Sequence, residues 1–273
     1  AFLFSLLGMT FLYTGASAFN LPELSVSGYA DAYYTTDNAR LMDEYYSSSR
    51  QLTFLNPAKD QFGLNIAMIS VSAESELFHG KVTFHEGNLV TTAWHGNAAY
   101  PNLQEAYAGF QLLKNFWVDA GYFLTHIGGE SVLPKDNWLT SHSMVTYFEP
   151  FYHAGLRFVY NATPNFSAQL HILNGNGIYE DNNANKSLGW YFGYVGDRED
   201  FGVSYAGILG NEVPGAPENA KMHMLHNIVF FANLSESFGA KAQVDFASLE
   251  GGTVDDEGEP TDGSLLGFPA QAR

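Results

Sequence analysis

The connections between this chain's alternating segments run long, short, long, short from one end to the other. Leu24–Thr35 leads into the long connection Thr36–Asp60, and Gln61–Val71 into the short Ser72–Ser75. Glu76–Glu86 is followed by the long Gly87–Pro101, and Asn102–Leu112 by the short Leu113–Asn115. The alternation continues through Phe116–Thr125, Phe151–Tyr160, Phe166–Leu173, Ser187–Gly196, Phe201–Leu209, His223–Ala232 and Phe238–Leu249. A soluble sandwich has no reason to sort its turns by length. An antiparallel up-and-down transmembrane β-barrel does, because short turns gather at one membrane face and long loops at the other.

Within the segments, side chains alternate with period two, the signature of a strand with two unlike faces. Phe78, Gly80, Val82 and Phe84 oppose His79, Lys81, Thr83 and His85. Phe166, Ala168, Leu170 and Ile172 oppose Ser167, Gln169 and His171, and Phe238, Ala240, Ala242, Val244 and Phe246 oppose Gly239, Lys241, Gln243 and Asp245. In Gln61–Val71 the pattern predicts Phe62, Leu64, Ile66 and Met68 on one face. The segments approach the ~9–11 residues of a tilted membrane strand, against ~5–6 in globular sheets. Tyr33, Tyr34, Phe62, Phe84, Phe116, Phe151, Tyr152, Phe166, Phe238 and Phe246 lie near segment ends, where interfacial girdles form. Ordinary β-propensity is the alternative explanation.

Composition narrows the classes further. Charged residues make up only 15%, aromatics another 15%, and there are 27 glycines, a balance that suits one lipid-facing side. The net charge of −17 argues against nucleic acid, which needs a basic footprint. Cysteine is absent, which excludes disulfides, thiolate chemistry and cysteine zinc sites. Phe2–Leu12 is apolar and Ala16-Ser17-Ala18 has a small-x-small form, so residues 1–18 read as part of a signal peptide and 19–273 as the barrel. No stretch is long enough for a transmembrane helix. About eleven strands precede Glu250, whereas single-chain bacterial barrels have an even number. The tail Glu250–Arg273 opens as a Gly/Asp/Glu loop with no evident closing strand, so the expectation is a C-terminally truncated barrel, either open or strained.

Three motifs add a resemblance. They are Glu105-Ala106-Tyr107, the run Ala120-Gly121 with Phe123, Thr125, Ile127 and Gly128, and Pro150-Phe151-Tyr152-His153 followed by Gly155. With Asn137-Trp138 and Ser141-His142-Ser143 they resemble the OmpL-like beta-barrel porin family, over about residues 24–249. The resemblance implies an outer-membrane barrel of Gram-negative bacteria with a porin role. It carries no catalytic, cofactor or binding residues to transfer.

Alternation places eleven polar side chains on the water side: His79, Lys81, His85, Glu105, Asp119, His153, Arg157, Gln169, His171, Lys241 and Asp245. They either line an open pore, where opposed charges select solutes, or pair with one another and fill the interior. The long segment His126–Pro150 either enters the lumen as a constriction or stays outside as a surface loop. Acids cluster in the long connections: Asp37, Asp43, Glu44, Asp136, Glu180, Asp181, Asp255, Asp256, Glu257, Glu259 and Asp262. They suit divalent cations that bridge lipopolysaccharide, or they are simply solvated. His223 and His226, three apart on a strand, face opposite sides and do not share a metal. Ser141-His142-Ser143 supplies hydrolase residue types without a Gly-x-Ser-x-Gly elbow.

The expectation is therefore an outer-membrane porin: a passive diffusion channel for small hydrophilic solutes or ions, with no catalytic, metal or cofactor site. Its partners are outer-membrane lipid, lipopolysaccharide and the solutes, not nucleic acid. A homo-oligomeric assembly stays open. The alternatives are a plugged barrel with a structural or binding role, or a membrane lipid hydrolase. The ion preference is also open, because the acidic total favours cations while Lys81, Arg157 and Lys241 favour anions.

Overall fold

The computed structural model describes residues 22–36, 53–94, 100–183, 185–212, 221–254 and 260–273. The segment expected as a signal peptide lies outside them, as do the loop acids Asp37, Asp43, Glu44, Asp255, Asp256, Glu257 and Glu259. The strands are β1 (Glu23–Thr35), β2 (Gln61–Glu74), β3 (Phe78–Glu86), β4 (Leu103–Leu113), β5 (Phe116–Leu124), β6 (Tyr152–Asn161), β7 (Phe166–Leu173), β8 (Ser187–Val195), β9 (Phe201–Asn211), β10 (Met222–Ser235), β11 (Phe238–Val254), β12 (Pro260–Gly267) and β13 (Ala270–Ala272). All lie in one antiparallel sheet ordered β1 to β12 by sequence, and β13 also pairs with β11. From β1 to β12 each strand thus neighbours its predecessor, which is the up-and-down topology. Among the described residues β1 pairs only with β2 and β12 only with β11, so the sheet has two unpaired edges, as expected.

The tail does not end as a loop. Residues 260–272 add two strand segments along β11, interrupted at Phe268-Pro269. Proline has no N–H to give a ladder, but its carbonyl accepts the Gln243 amide at 2.9 Å, which suits an edge strand. The glycines and proline weaken the alternation that would have announced these strands.

Ile69, Val71, Val82, Phe84, Leu170, Ile172, Phe230 and Phe246 stand exposed in rows on one face of the sheet. Their neighbours Ser70, Thr83, His171 and Asp245 are buried on the other. Such apolar rows would be a liability in water and are the expected surface in lipid. One predicted face is corrected. Asp31 pairs with Ile66 and Ala32 with Leu64, so Asn65 is an unpaired bulge residue. The extra residue switches the alternation: Phe62 and Leu64 are exposed, while Ile66 is fully buried and Met68 packs beside it. The aromatic girdle is also smaller than expected. Tyr34, Phe62, Phe84, Phe166, Phe238 and Phe246 are exposed, but Tyr152 is buried, Phe151 packs against the core and Tyr33 donates to Asn88 at 2.8 Å.

The sheet is rolled. His126, Gly128 and Gly129, just beyond β5, bond to Gly207 of β9, Asn227 of β10 and Gln243 of β11. At ~4.8 Å per strand, a flat sheet would hold β5 and β9 roughly 20 Å apart. Gly121 and Gly155 face each other across β5 and β6 at φ +133° and +152°. A β-carbon at either would stand about 2 Å from a neighbouring carbonyl oxygen (2.2 Å from Ala106, 2.1 Å from Ile172). Only glycine allows the two backbones to bend there.

Candidate functional site: the interior face

Near the short turns, β3, β4, β5 and β6 bring five predicted residues into one network. Asp119 accepts the Arg157 Nε–H at 2.7 Å, and its other carboxylate oxygen lies 2.6 Å from His79 Nε2. Lys81 pairs with Glu105 at 2.5 Å. Trp117 stacks on His79 at 4.4 Å, and the Arg157 guanidinium lies over Tyr107 and Phe123. Register brings this about, because Asp119 is directly opposite Arg157, which in turn is directly opposite His171.

Farther up the wall three histidines meet. His126 stacks on His171 at 4.0 Å and approaches His153 at 5.3 Å. His171 contacts Gln169 at 3.1 Å, and His153 contacts Thr125 at 3.2 Å. His126 donates to Gly207 O at 3.0 Å, and burial pushes its pKa down to about 4, so the ring is neutral. His85 stands apart, between Pro101 O and the Gln104 amide and edge-on to Trp94.

The β5–β6 connection, residues 125–151, crosses this interior as a strap. The Gly128 and Gly129 amides donate to Asn227 Oδ1 at 3.1 Å and Gln243 Oε1 at 2.8 Å, and Lys241 donates to Gly129 O at 2.8 Å. Trp138 lies against Gly239 and under Lys241 and Arg273, and Val145 sits over Gly267. All of these wall positions belong to the face opposite the exposed Phe238, Val244 and Phe246. The long segment is therefore internal and not a surface loop.

Two strap carboxylates anchor it. Glu130 accepts from Thr146 Oγ1 at 2.6 Å, Ser143 N at 2.8 Å and Gln271 Nε2 at 2.5 Å. Burial alone would raise its pKa, but the Thr146 and Ser143 bonds outweigh burial and hold it below the usual carboxylate range. Glu149 meets Asp245 across one amide: Gln243 Nε2 donates to both, and Asn227 Nδ2 donates to Asp245 at 2.7 Å. Burial first, then the Asp245 charge, pushes Glu149 up to about 8.

At the long-loop end an apolar cluster gathers Leu55, Ile66, Leu89, Val90, Trp94, Val132, Leu133, Tyr152 and Tyr179. A π-helical turn, Val90–Trp94, delivers Trp94, whose indole N–H donates to Tyr179 Oη at 3.0 Å. Tyr147 stacks on Phe54 at 3.8 Å, joining the first long connection to the strap. Between strap and wall lies a cavity of about 480 Å³, lined in part by Thr125, His126, Glu130, Glu149, Arg157, Gln169 and Tyr191.

The eleven predicted residues do not form one ring. His79, Lys81, Glu105, Asp119 and Arg157 are one group, His153, Gln169 and His171 a second, Lys241 and Asp245 meet the strap on the far wall, and His85 stands apart beside Trp94. Alternation missed Asn227, Glu130 and Glu149. Asn227 belongs to a strand with no clear polar face, and the two glutamates lie in a connection that has no period. Ser141-His142-Ser143 forms no Ser–His pair: His142 Nε2 bonds Ser131 O at 2.8 Å, and Ser143 contacts Thr146. His223 turns to Glu250 O, while His226 stacks on Tyr205.

A rolled up-and-down sheet, apolar outside and polar within, defines the class of transmembrane β-barrels. A family model described as "Putative beta-barrel porin-2, OmpL-like" matches residues 23–269, and the chain belongs to that family. No curated protein matches the sequence.

Proposed function

We propose that this protein is a passive diffusion channel of the bacterial outer membrane, carrying small hydrophilic solutes, with the β5–β6 strap as its constriction. The strap carries this reading. It spans a polar interior and is fastened by hydrogen bonds to β9, β10, β11 and β13. An apolar outer face supports burial in lipid, with the strands satisfying each other's backbone groups. Family membership supports a porin role, and no reaction is required of the interior groups. The acids of the long connections other than the strap would meet lipopolysaccharide and its cations at the outer surface.

Single-channel conductance of the full-length protein in a planar bilayer tests this. Discrete steps that enlarge when the strap is loosened support the channel. A folded, inserted barrel that never conducts favours the second reading, a plugged barrel with a binding or structural role. The Trp94–Tyr152–Tyr179 cluster at the long-loop end is the observation that favours it.

A further inference from the structure

We infer that the channel favours small anions and that Lys81 and Arg157 set this preference. The inference rests on the channel reading and concerns the sign of the charge that a solute meets inside. It runs against the chain's net charge of −17.

The ion pairs on the β3–β6 wall are layered. Asp119 has 1% of its side chain exposed, whereas its partners Arg157 and His79 have 20% and 29%. Glu105 has 7% exposed and its partner Lys81 has 32%. In both groups the carboxylate lies against the wall and the cation lies toward the interior space. Each pair sums to little charge, but a solute passes nearer the positive end. A low-dielectric wall focuses that field instead of screening it. Beyond a few ångströms from the wall, salt damps the effect.

The opposite wall follows the same order. Lys241 is held by a neutral acceptor, Gly129 O, and by the face of Trp138. Of the acids there, Asp245 and Glu149 are buried and Glu130 is half-buried, and each is held by donors. Glu130 is covered by Ser143, Thr146 and Gln271, and Asp245 by Asn227 and Gln243. Arg157 also lines the 480 Å³ cavity beneath the strap. Asp119 engages its Nε and Nη2. Of the five N–H donors of a guanidinium, that leaves others for a passing carboxylate or phosphate oxygen, which arginine holds with matched geometry.

Reversal potential of the full-length protein under a KCl gradient decides the matter. The expected sign is that of chloride permeating faster than potassium, and Lys81→Gln lowers the chloride-to-potassium permeability ratio by about twofold or more. Arg157→Lys, which keeps the charge on Asp119, preserves the sign and weakens block by added small dicarboxylates. Potassium preference in the unmodified protein overturns the inference while leaving the channel intact. Chloride preference that ignores Lys81→Gln in a folded variant overturns the residue assignment. Absence of any conductance overturns the channel reading and this inference with it.

Discussion

The backbone amide of Gly128 donates to the side-chain oxygen of Asn227 at 3.1 Å, joining residues 99 apart in sequence. The same Asn227 donates through its amide to Asp245 at 2.7 Å. One side chain therefore ties the strap to β10 and β11 together. Asn227→Ala removes both bonds and leaves Asp245 short of a donor, at a cost of about 1–3 kcal/mol. The expected outcome is a lower thermal midpoint in detergent and a larger, noisier single-channel conductance. Unchanged conductance in a correctly folded variant would show that the strap does not limit flow.

The joint between Glu149 and β11 makes the strap responsive to pH. Glu149 ordinarily titrates near 4.5 and is pushed up to about 8 here, by burial first and by Asp245 second. Asp245 and Glu130 are the acids acting on it, and the Gln243 amide lowers it in part. Because the value in the folded strap is the higher one, the joint is complete below about pH 4.5 and is lost as pH rises through about 8. Conductance should therefore be steady in acid and rise on the alkaline side of neutrality. Glu149→Gln, which cannot ionise, should flatten the profile. A rise that persists in that variant would place the titrating group elsewhere.

Asp119, on β5, joins three strands, reaching β6 through Arg157 and β3 through His79. Asp119→Ala leaves the guanidinium over Tyr107 and Phe123 without a counter-charge. Breaking a fully buried pair costs about 3–5 kcal/mol, and since Arg157 is partly exposed the expected loss is nearer 2 kcal/mol. Urea unfolding in lipid vesicles measures it. A loss below about 0.5 kcal/mol would mean the pair behaves as a surface ion pair.

Gly121 and Gly155 allow the β5–β6 pair to bend at positive φ. Gly121→Val would bring a β-carbon to 2.2 Å from Ala106 O, in a backbone conformation that branched residues avoid. The expected cost is at least about 1–3 kcal/mol. The readout is the temperature at which the folded, fast-migrating band is lost on an unheated-versus-heated gel. A Gly→Val substitution at Gly80, which keeps ordinary strand geometry but meets the Tyr107 carbonyl at 3.2 Å, should be the milder change.

The alternation of turn lengths and the period-two rows were readable in the chain because they follow from local geometry. A strand presents every second residue to the same side, whatever surrounds it. That was enough to specify an up-and-down membrane sheet and to place His79, Lys81, Glu105, Asp119, Arg157, Lys241 and Asp245 on its inner face. It failed where a local pattern was broken. The unpaired Asn65 turned Ile66 and Met68 inward, and glycines with Pro269 concealed β12 and β13.

Tertiary structure alone decided what the interior does. The strap has no period, so nothing in residues 125–151 announces that it crosses to β9, β10 and β11; only the rolling of the sheet brings those walls within hydrogen-bond reach. The layering of cations over buried carboxylates is likewise invisible in the chain. Sequence spacing gives the side of a strand on which a charge stands, whereas its depth depends on the partners that pack around it from other strands.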